Sequence, residues 1–179
     1  MLDLGCGTAT LTILIKRIHP EAEVIGLDGD PKILEIAQVK VAKAGLKVRL
    51  EQGMAFDLPY HDDSFDRVLS SLLFHHLTRE NKTRAMREAF RILRPGGELH
   101  LADFGKPRNP LMQIVSLVMR RFEETKDNIR GLLPEMLLEA GFVAVAELTH
   151  YMTVFGTLTL YQAQKPYNTG KRRYKLGSC

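Results

Sequence analysis

An acidic strand end running directly into a glycine loop and a helical pattern, Met1-Leu-Asp-Leu-Gly-Cys-Gly-Thr-Ala-Thr-Leu-Thr12, constrains this chain more than any other stretch. Glycine at positions 5 and 7 lets backbone N–H groups approach a ligand closely, and the new helix presents unpaired amides and the positive end of its dipole. A turn of this kind joins a parallel strand to the helix that crosses back over the sheet. The following residues continue the same alternation. Thr10–Ile18 sets Leu11, Leu14, Ile15 and Ile18 at helical spacing, and Glu23–Asp28 is a short apolar strand ending in an acid. Asp30-Pro31 starts a second helix with Ile33, Ile36, Ala37 and Val41 as its buried stripe and Gly45 as its stop. Lys47–Glu51 and Asp66–Leu72 read as strands. Thr78 caps a charged amphipathic helix with Met86, Ala89, Phe90 and Leu93 inward, and Arg94-Pro-Gly-Gly97 turns the chain into the strand Glu98–Asp103. Repeated strand–helix units with short connections predict an α/β, doubly wound parallel sheet that binds ligands at the carboxyl ends of its strands.

Beyond Pro110 the pattern changes. Leu111–Phe122 has a broad apolar helical face, which is either core packing or a lid over an apolar pocket with Met112 and Met119 in its lining. A short helix, Pro134–Ala140, precedes two β-rich segments, Phe142–Tyr151 and Val154–Gln164, with Met152-Thr153 between them. These read as an antiparallel hairpin at a sheet edge, although Asn-Gly turn chemistry is missing. The length predicts one domain over residues 1–164. Residues 165–179 read as a basic, flexible tail carrying Lys165, Lys171, Arg172, Arg173 and Lys175. Much of the formal charge of +4 lies there, so the body is close to neutral, and nucleic acid is not an expected partner. Two cysteines make no disulfide framework, and a reducing cytoplasm is the expected compartment. No apolar run reaches the roughly 18 residues of a membrane span.

Asp28 ends the second strand about twenty residues beyond the glycine loop, where a carboxylate can accept hydrogen bonds from both hydroxyls of a ribose. The nucleotide is narrowed by charge. A nicotinamide fingerprint would put its third small residue at Thr10, and Asp3 would repel a pyrophosphate. The same carboxylate suits a ligand carrying an ammonium and a sulfonium, which favours S-adenosylmethionine over a dinucleotide.

Leu2-Asp-Leu-Gly-Cys-Gly-Thr8, Asp28, Leu58-Pro-Tyr60, Asp63-Ser-Phe-Asp-Arg-Val68, Phe74-His-His-Leu77 and Leu93-Arg-Pro-Gly-Gly97 occur in that order. Together they resemble the class I S-adenosylmethionine-dependent methyltransferases, and within them the branch similar to the ubiquinone/menaquinone-biosynthesis enzymes. The resemblance implies a Rossmann-like, mostly parallel seven-stranded sheet of order 3-2-1-4-5-7-6 with an antiparallel C-terminal hairpin and a shortened first strand. It further implies that Asp3, Gly5, Cys6 and Gly7 hold the methionine part of S-adenosyl-L-methionine. Asp28, with Gly29 beside it, would hold the ribose, and Gly53, Met54 and Ala55 would line the adenine. Ser71 or Leu72 would face the sulfonium. Two positions depart from the family pattern: Ala9 replaces a glycine, and Met54 replaces an acid that bonds the adenine amino group. A methyl at position 9 is expected to be tolerated, and Met54 is expected to weaken cofactor binding, because a thioether is a poor acceptor.

Methyl transfer from a sulfonium is an in-line displacement with a neutral leaving group, so positioning supplies most of the rate. A base is needed only where the acceptor must lose a proton, and His75 and His76, just after the fourth strand, are the candidates. Asp103 falls on the same rim. No Asp, Glu or Cys stands at ligand spacing around the histidine pair, so no metal is expected. Neither an Asn-Pro-Pro-Tyr-type motif nor a Pro-Cys pair occurs, which leaves a small molecule as the expected methyl acceptor. The oligomeric state is left open. The competing readings are a nicotinamide-dependent oxidoreductase and an N-terminally truncated, weakly active or inactive binding module. The second arises because only Met1 and Leu2 precede Asp3, which leads to the expectation that the native enzyme begins upstream.

Overall fold

Local signals account for most elements in the computed structural model, which describes residues 1–108, 112–113 and 123–167. Strands β1 (Leu2–Leu4), β2 (Ile25–Asp28), β3 (Arg49–Gln52), β4 (Phe65–Ser71) and β5 (Leu93–Phe104) alternate with helices α1 (Thr10–Ile18), α2 (Pro31–Ala44) and α3 (Arg79–Ile92). Two short helices, α4 (Lys126–Arg130) and α5 (Leu133–Glu139), precede the hairpin β6 (Val143–Thr153) and β7 (Gly156–Gln164). The seven strands form one sheet of order β3-β2-β1-β4-β5-β7-β6, parallel through β5 and antiparallel at β5–β7 and β7–β6. The fold and strand order agree with the expectation, including the short first strand, only three residues long.

The caps behave as their chemistry requires. The Asp30 carboxylate accepts from the Lys32 N–H at the start of α2, Pro31 fills the first turn, and Gly45 ends the helix in a left-handed conformation. Thr78 caps α3 by accepting from the Asn81 N–H. At the start of α1 the cap position is Ala9, at φ 61° and without a side-chain cap bond. A left-handed Ala costs about 1–2 kcal/mol. Its methyl is fully buried in a small cluster with Ile13, Ala37 and Val41, and burying it recovers about 0.8 kcal/mol.

The helix stripes differ from those periodicity alone suggests. In α1 the buried side chains are Thr12, Ile13 and Ile15, whereas Leu14 and Ile18 are more than half exposed. The rotation follows from two contacts: Thr12 Oγ1 donates to Asp3 Oδ2 at 2.6 Å, and Ile13 packs against α2. In α2, Leu34, Ala37 and Val41 are buried and Ile36 is exposed. The main core lies on the other side of the sheet, where Val68, Leu99, Leu101 and Tyr161 meet Ala85, Met86, Ala89 and Ile92 of α3 and Leu133, Met136 and Leu137 of α5.

Three further differences concern chain segments. Arg94–Gly97, expected as a turn, is a bulge inside β5: β4 pairs Phe65 with Leu93 and Arg67 with Glu98, Gly96 is left-handed at φ 80°, and Gly96 N–H donates to Lys165 O while Lys165 N–H donates to Gly97 O. Lys165, counted with the basic tail in the sequence, also sends its Nζ to Asp63 Oδ1, Arg91 O and Leu93 O. The hairpin turn is at Val154–Phe155, two residues later than expected. Thr153 Oγ1 makes it by accepting from Phe155 N–H and donating to Gly156 O, in place of Asn-Gly chemistry. The helix expected over Leu111–Phe122 lies outside the described residues apart from Met112, which is buried, and Gln113; Met119 and residues 168–179 lie outside them as well.

The Leu58–Tyr60 motif is explained by Arg91. Its guanidinium donates to Leu58 O, Tyr60 O, Asp62 and Glu88, tying the loop before β4 to α3.

Candidate active site

The carboxyl ends of β1, β2 and β4 converge on a cleft of about 790 Å3. Its described lining includes Asp3, Gly5, Cys6, Gly7, Asp28, Ser71, Leu72 and His76, so most residues the sequence nominated come together there. Gly5 and Gly7 have φ +72° and +52°, the left-handed region, and a Cβ at Gly5 would collide with the Leu73 side chain at 2.8 Å. The loop is thereby held against the mouth of the sheet. Gly7 N–H donates to Asp28 Oδ2 at 2.8 Å, which fixes the second acid beside the loop.

Asp3 sits on the cleft floor, 1% exposed. Burial pushes its pKa up from 3.8 to about 6, against the opposing bond from Thr12, with the Asp28 charge adding to the rise. A carboxylate in this state gains from a cation placed beside it. Cys6 is the reverse case: burial raises its thiol from 9.0 to about 12, so it is a neutral wall of the cleft and no nucleophile.

The other nominated residues stand apart. Met54 is half exposed, and its sulfur lies 3.0 Å from where a Cβ on Gly29 would be, so the two pack on each other at the margin. Ala55 is buried in the main core with Leu58 and is not among the described residues lining the cleft. Leu72, next to Ser71, has φ 57°, a strained conformation for a branched side chain.

After β4 a single 3-10 turn, Phe74–His76, is anchored by the fully buried Phe74. It sets the two histidine rings 3.9 Å apart, with His76 on the cleft and His75 behind it. Asp103 is not on the open rim: it is fully buried beneath His75. His75 Nδ1 lies 2.9 Å from Asp103 Oδ1, and the same carboxylate accepts from Phe104 N–H at 2.7 Å and from Asn128 Nδ2 at 3.1 Å. An ionised carboxylate only accepts, so Nδ1 is the nitrogen through which His75 donates to Asp103. Burial, followed by the neighbouring His75, lowers the pKa of His76. Asn128 carried no signal in the sequence, because only the return of α4 onto β5 brings it to Asp103.

The lining also discriminates among cofactors. Asp3, Asp28 and Asp30 face the cleft, and none of its described lining residues is Lys or Arg; Lys40 reaches only its outer rim, through Thr8 and Thr10. That donor set opposes a pyrophosphate and suits a ligand with a cationic amino acid part and a ribose. Among the described residues no group of three or more His, Cys, Asp or Glu could hold a metal, and no helix is long and apolar enough to cross a membrane.

A seven-stranded sheet of this order, with an acid and glycine loop after β1 and an acid ending β2, defines a class I methyltransferase fold. Residues 1–97 match the family described as "Methyltransferase domain". The chain belongs to the S-adenosylmethionine-dependent methyltransferase family. It is similar to the demethylmenaquinone methyltransferase of Deinococcus radiodurans, at 32% identity over 91% of this chain and 69% of that protein. The enzyme of the same name from Lactobacillus johnsonii is 36% identical over 63% of this chain, and the match spans 47% of its length. The YcgJ protein of Bacillus subtilis has the same fold, with a TM-score of 0.72 at 20% identity over 92% of this chain and 91% of that one.

Proposed function

We propose that this chain transfers a methyl group from S-adenosyl-L-methionine to a small-molecule acceptor by in-line displacement. The observation that carries the reading is Asp3, a nearly inaccessible carboxylate with its pKa raised to about 6, on the floor of a cleft whose described lining has acids and no Lys or Arg. The bound cofactor would supply an electrophilic methyl on a sulfonium. Asp3 and the Gly5–Gly7 loop would bind the amino acid part, and Asp28 would accept from the ribose hydroxyls. Gly29 and Met54 would lie along the adenine, with Ala55 behind them in the core. Ser71 and Leu72 would border the sulfonium.

The histidine pair would act on the acceptor. Asp103 orients His75 through Nδ1, and His76, with its pKa lowered, faces the cleft as the candidate base. Taking a proton from an acceptor hydroxyl raises the electron density of the atom that attacks the methyl, a contribution of about 10²–10⁴ in rate. The name shared by the relatives supports a quinone-class acceptor. Calorimetric titration with S-adenosylmethionine and with its demethylated product tests the reading. Saturable one-site binding of both is expected, with stabilisation of about 2.7 kcal/mol at a hundredfold excess over Kd. Absence of binding would refute it.

A further inference from the structure

We infer that Asn128 is a positioning residue for the histidine turn, kept against the stability of the fold because it holds the Asp103 carboxylate to His75. The inference deepens the function proposed above and rests on that reading for its link to methyl transfer.

α4 has five residues, too few to hold itself by backbone bonds, so it depends on what its side chains reach. Asp127, Asn128 and Ile129 are buried in succession, and successive residues of a helix point about 100° apart. They therefore meet three different neighbours. Asp127 pairs with Arg79 and lies 3.9 Å from Lys82 Nζ, both on α3. Ile129 lines an apolar cavity with Phe104 and Met112. Asn128 turns to β5, where its Nδ2 donates to Asp103 Oδ1 at 3.1 Å. The helix is thus anchored by the residues on either side of Asn128.

The other end of the amide is unmet. Asn128 is fully buried, and its Oδ1 has no hydrogen-bond partner among the described residues. Turning the amide over would aim Oδ1 at a carboxylate and lose the bond that Nδ2 makes. Leucine has a similar branched outline and would fill the space with no unmet group, so stability by itself favours an apolar side chain here. What asparagine adds is an N–H directed at Asp103. A buried group that lowers stability calls for a role other than packing.

The geometry around Asp103 supplies that role. Its fully buried carboxylate receives the Phe104 N–H at 2.7 Å, His75 Nδ1 at 2.9 Å and Asn128 Nδ2, all on Oδ1, while Oδ2 receives the His75 N–H at 3.3 Å. Phe104 is the adjoining residue, and His75 is the group being positioned. Asn128 is the support from a separate element, and it stops the carboxylate turning about its own side-chain bond. A fixed carboxylate fixes the plane of the His75 ring, which lies 3.9 Å from the ring of His76 on the cleft. In a reaction governed by alignment, support at this remove matters to rate.

Asn128→Leu removes the donor and the unmet acceptor together. Its thermal unfolding midpoint should equal or exceed that of wild type. In proton NMR the His75 Nδ1–H, protected from water by its bond to Asp103, should exchange about tenfold faster, the worth of one hydrogen bond. With naphthohydroquinone as the acceptor probe, kcat should fall about tenfold and KM for S-adenosylmethionine should stay within about twofold. Asn128→Met, equally apolar and more adaptable, repeats the test should leucine disturb the packing. A midpoint lowered in both variants, a His75 proton that exchanges as in wild type, or an unchanged kcat overturns the inference, because Asn128 would then serve packing only. Wild-type protein that binds S-adenosylmethionine without methylating the probe refutes the acceptor class, and wild-type protein that does not bind it refutes the methyltransferase reading. In either case the midpoint and the His75 proton still decide whether Asn128 positions the histidine.

Discussion

Asp3→Asn should make the protein more stable and the cofactor weaker at neutral pH, two effects of opposite sign from one substitution. Asp3 has a folded pKa of about 6 against an ordinary 3.8, so the folded state holds its proton more tightly than the unfolded chain. At about 1.4 kcal/mol per pH unit, that interval makes ionised Asp3 a destabilising group by roughly 3 kcal/mol above pH 6. The cost is absent below pH 4 and develops as pH rises between the two values. Asparagine removes the charge and still offers an oxygen to Thr12 Oγ1, so the gain has an upper limit of roughly 3 kcal/mol. The neutral amide loses a charge-assisted bond to the ligand ammonium, worth about 1.5–3 kcal/mol, or about 10–150-fold in Kd. Urea denaturation at pH 5 and pH 7.5 reads the first effect, and the advantage of the variant should be larger at pH 7.5. Calorimetry with S-adenosylmethionine reads the second. Wild-type affinity should fall by up to about tenfold per pH unit below pH 6, whereas the affinity of Asp3→Asn stays flat. A variant that is less stable at pH 7.5, or that binds the cofactor as wild type does, would refute the reasoning.

Met54→Asp restores an acceptor beside Gly29 and should tighten S-adenosylmethionine binding by about tenfold, the worth of one hydrogen bond; unchanged or weaker binding removes Met54 from the adenine site. Asp103→Asn should reverse the His75 tautomer, because the amide can donate to Nδ1. Nitrogen NMR of His75 should then show the proton on Nε2, with methyl transfer down about 10²-fold or more and cofactor affinity unchanged. Lys82 is fully buried in α3, donates to Glu124 O and lies 3.9 Å from Asp127 Oδ2. Lys82→Ala should cost about 3 kcal/mol in urea denaturation, since the buried Asp127 loses a cation and a buried space opens; a loss below about 0.5 kcal/mol, the size of an ordinary surface change, would contradict this.

The alternation of strands and helices, the caps at Asp30, Gly45 and Thr78, and the glycine loop were legible because each is a local signal: a period, a side chain that bonds its own backbone, or a φ that glycine permits. The cleft residues Asp3, Gly5, Gly7, Asp28, Ser71 and His76 were legible for a related reason, because they end parallel strands and topology brings strand ends together. Periodicity failed where a long-range contact outweighed it. Thr12 is turned inward by Asp3, Leu14 and Ile18 are left exposed, and Arg94–Gly97 is taken into β5 as a bulge to which Lys165 bonds. Burial of charge was equally invisible: nothing in the charged helix after Thr78 singled out Lys82, and Asp103 read as part of an open rim. Their surroundings are set by Asp127, His75 and Asn128, which lie at least 25 residues away in the chain. Sequence alone determined the fold, the methyltransferase family and most of the cleft lining, since those follow from local bonding and strand order. Tertiary structure alone decided which groups lose water, and with that where charge is strained and which histidine is tied to Asp103.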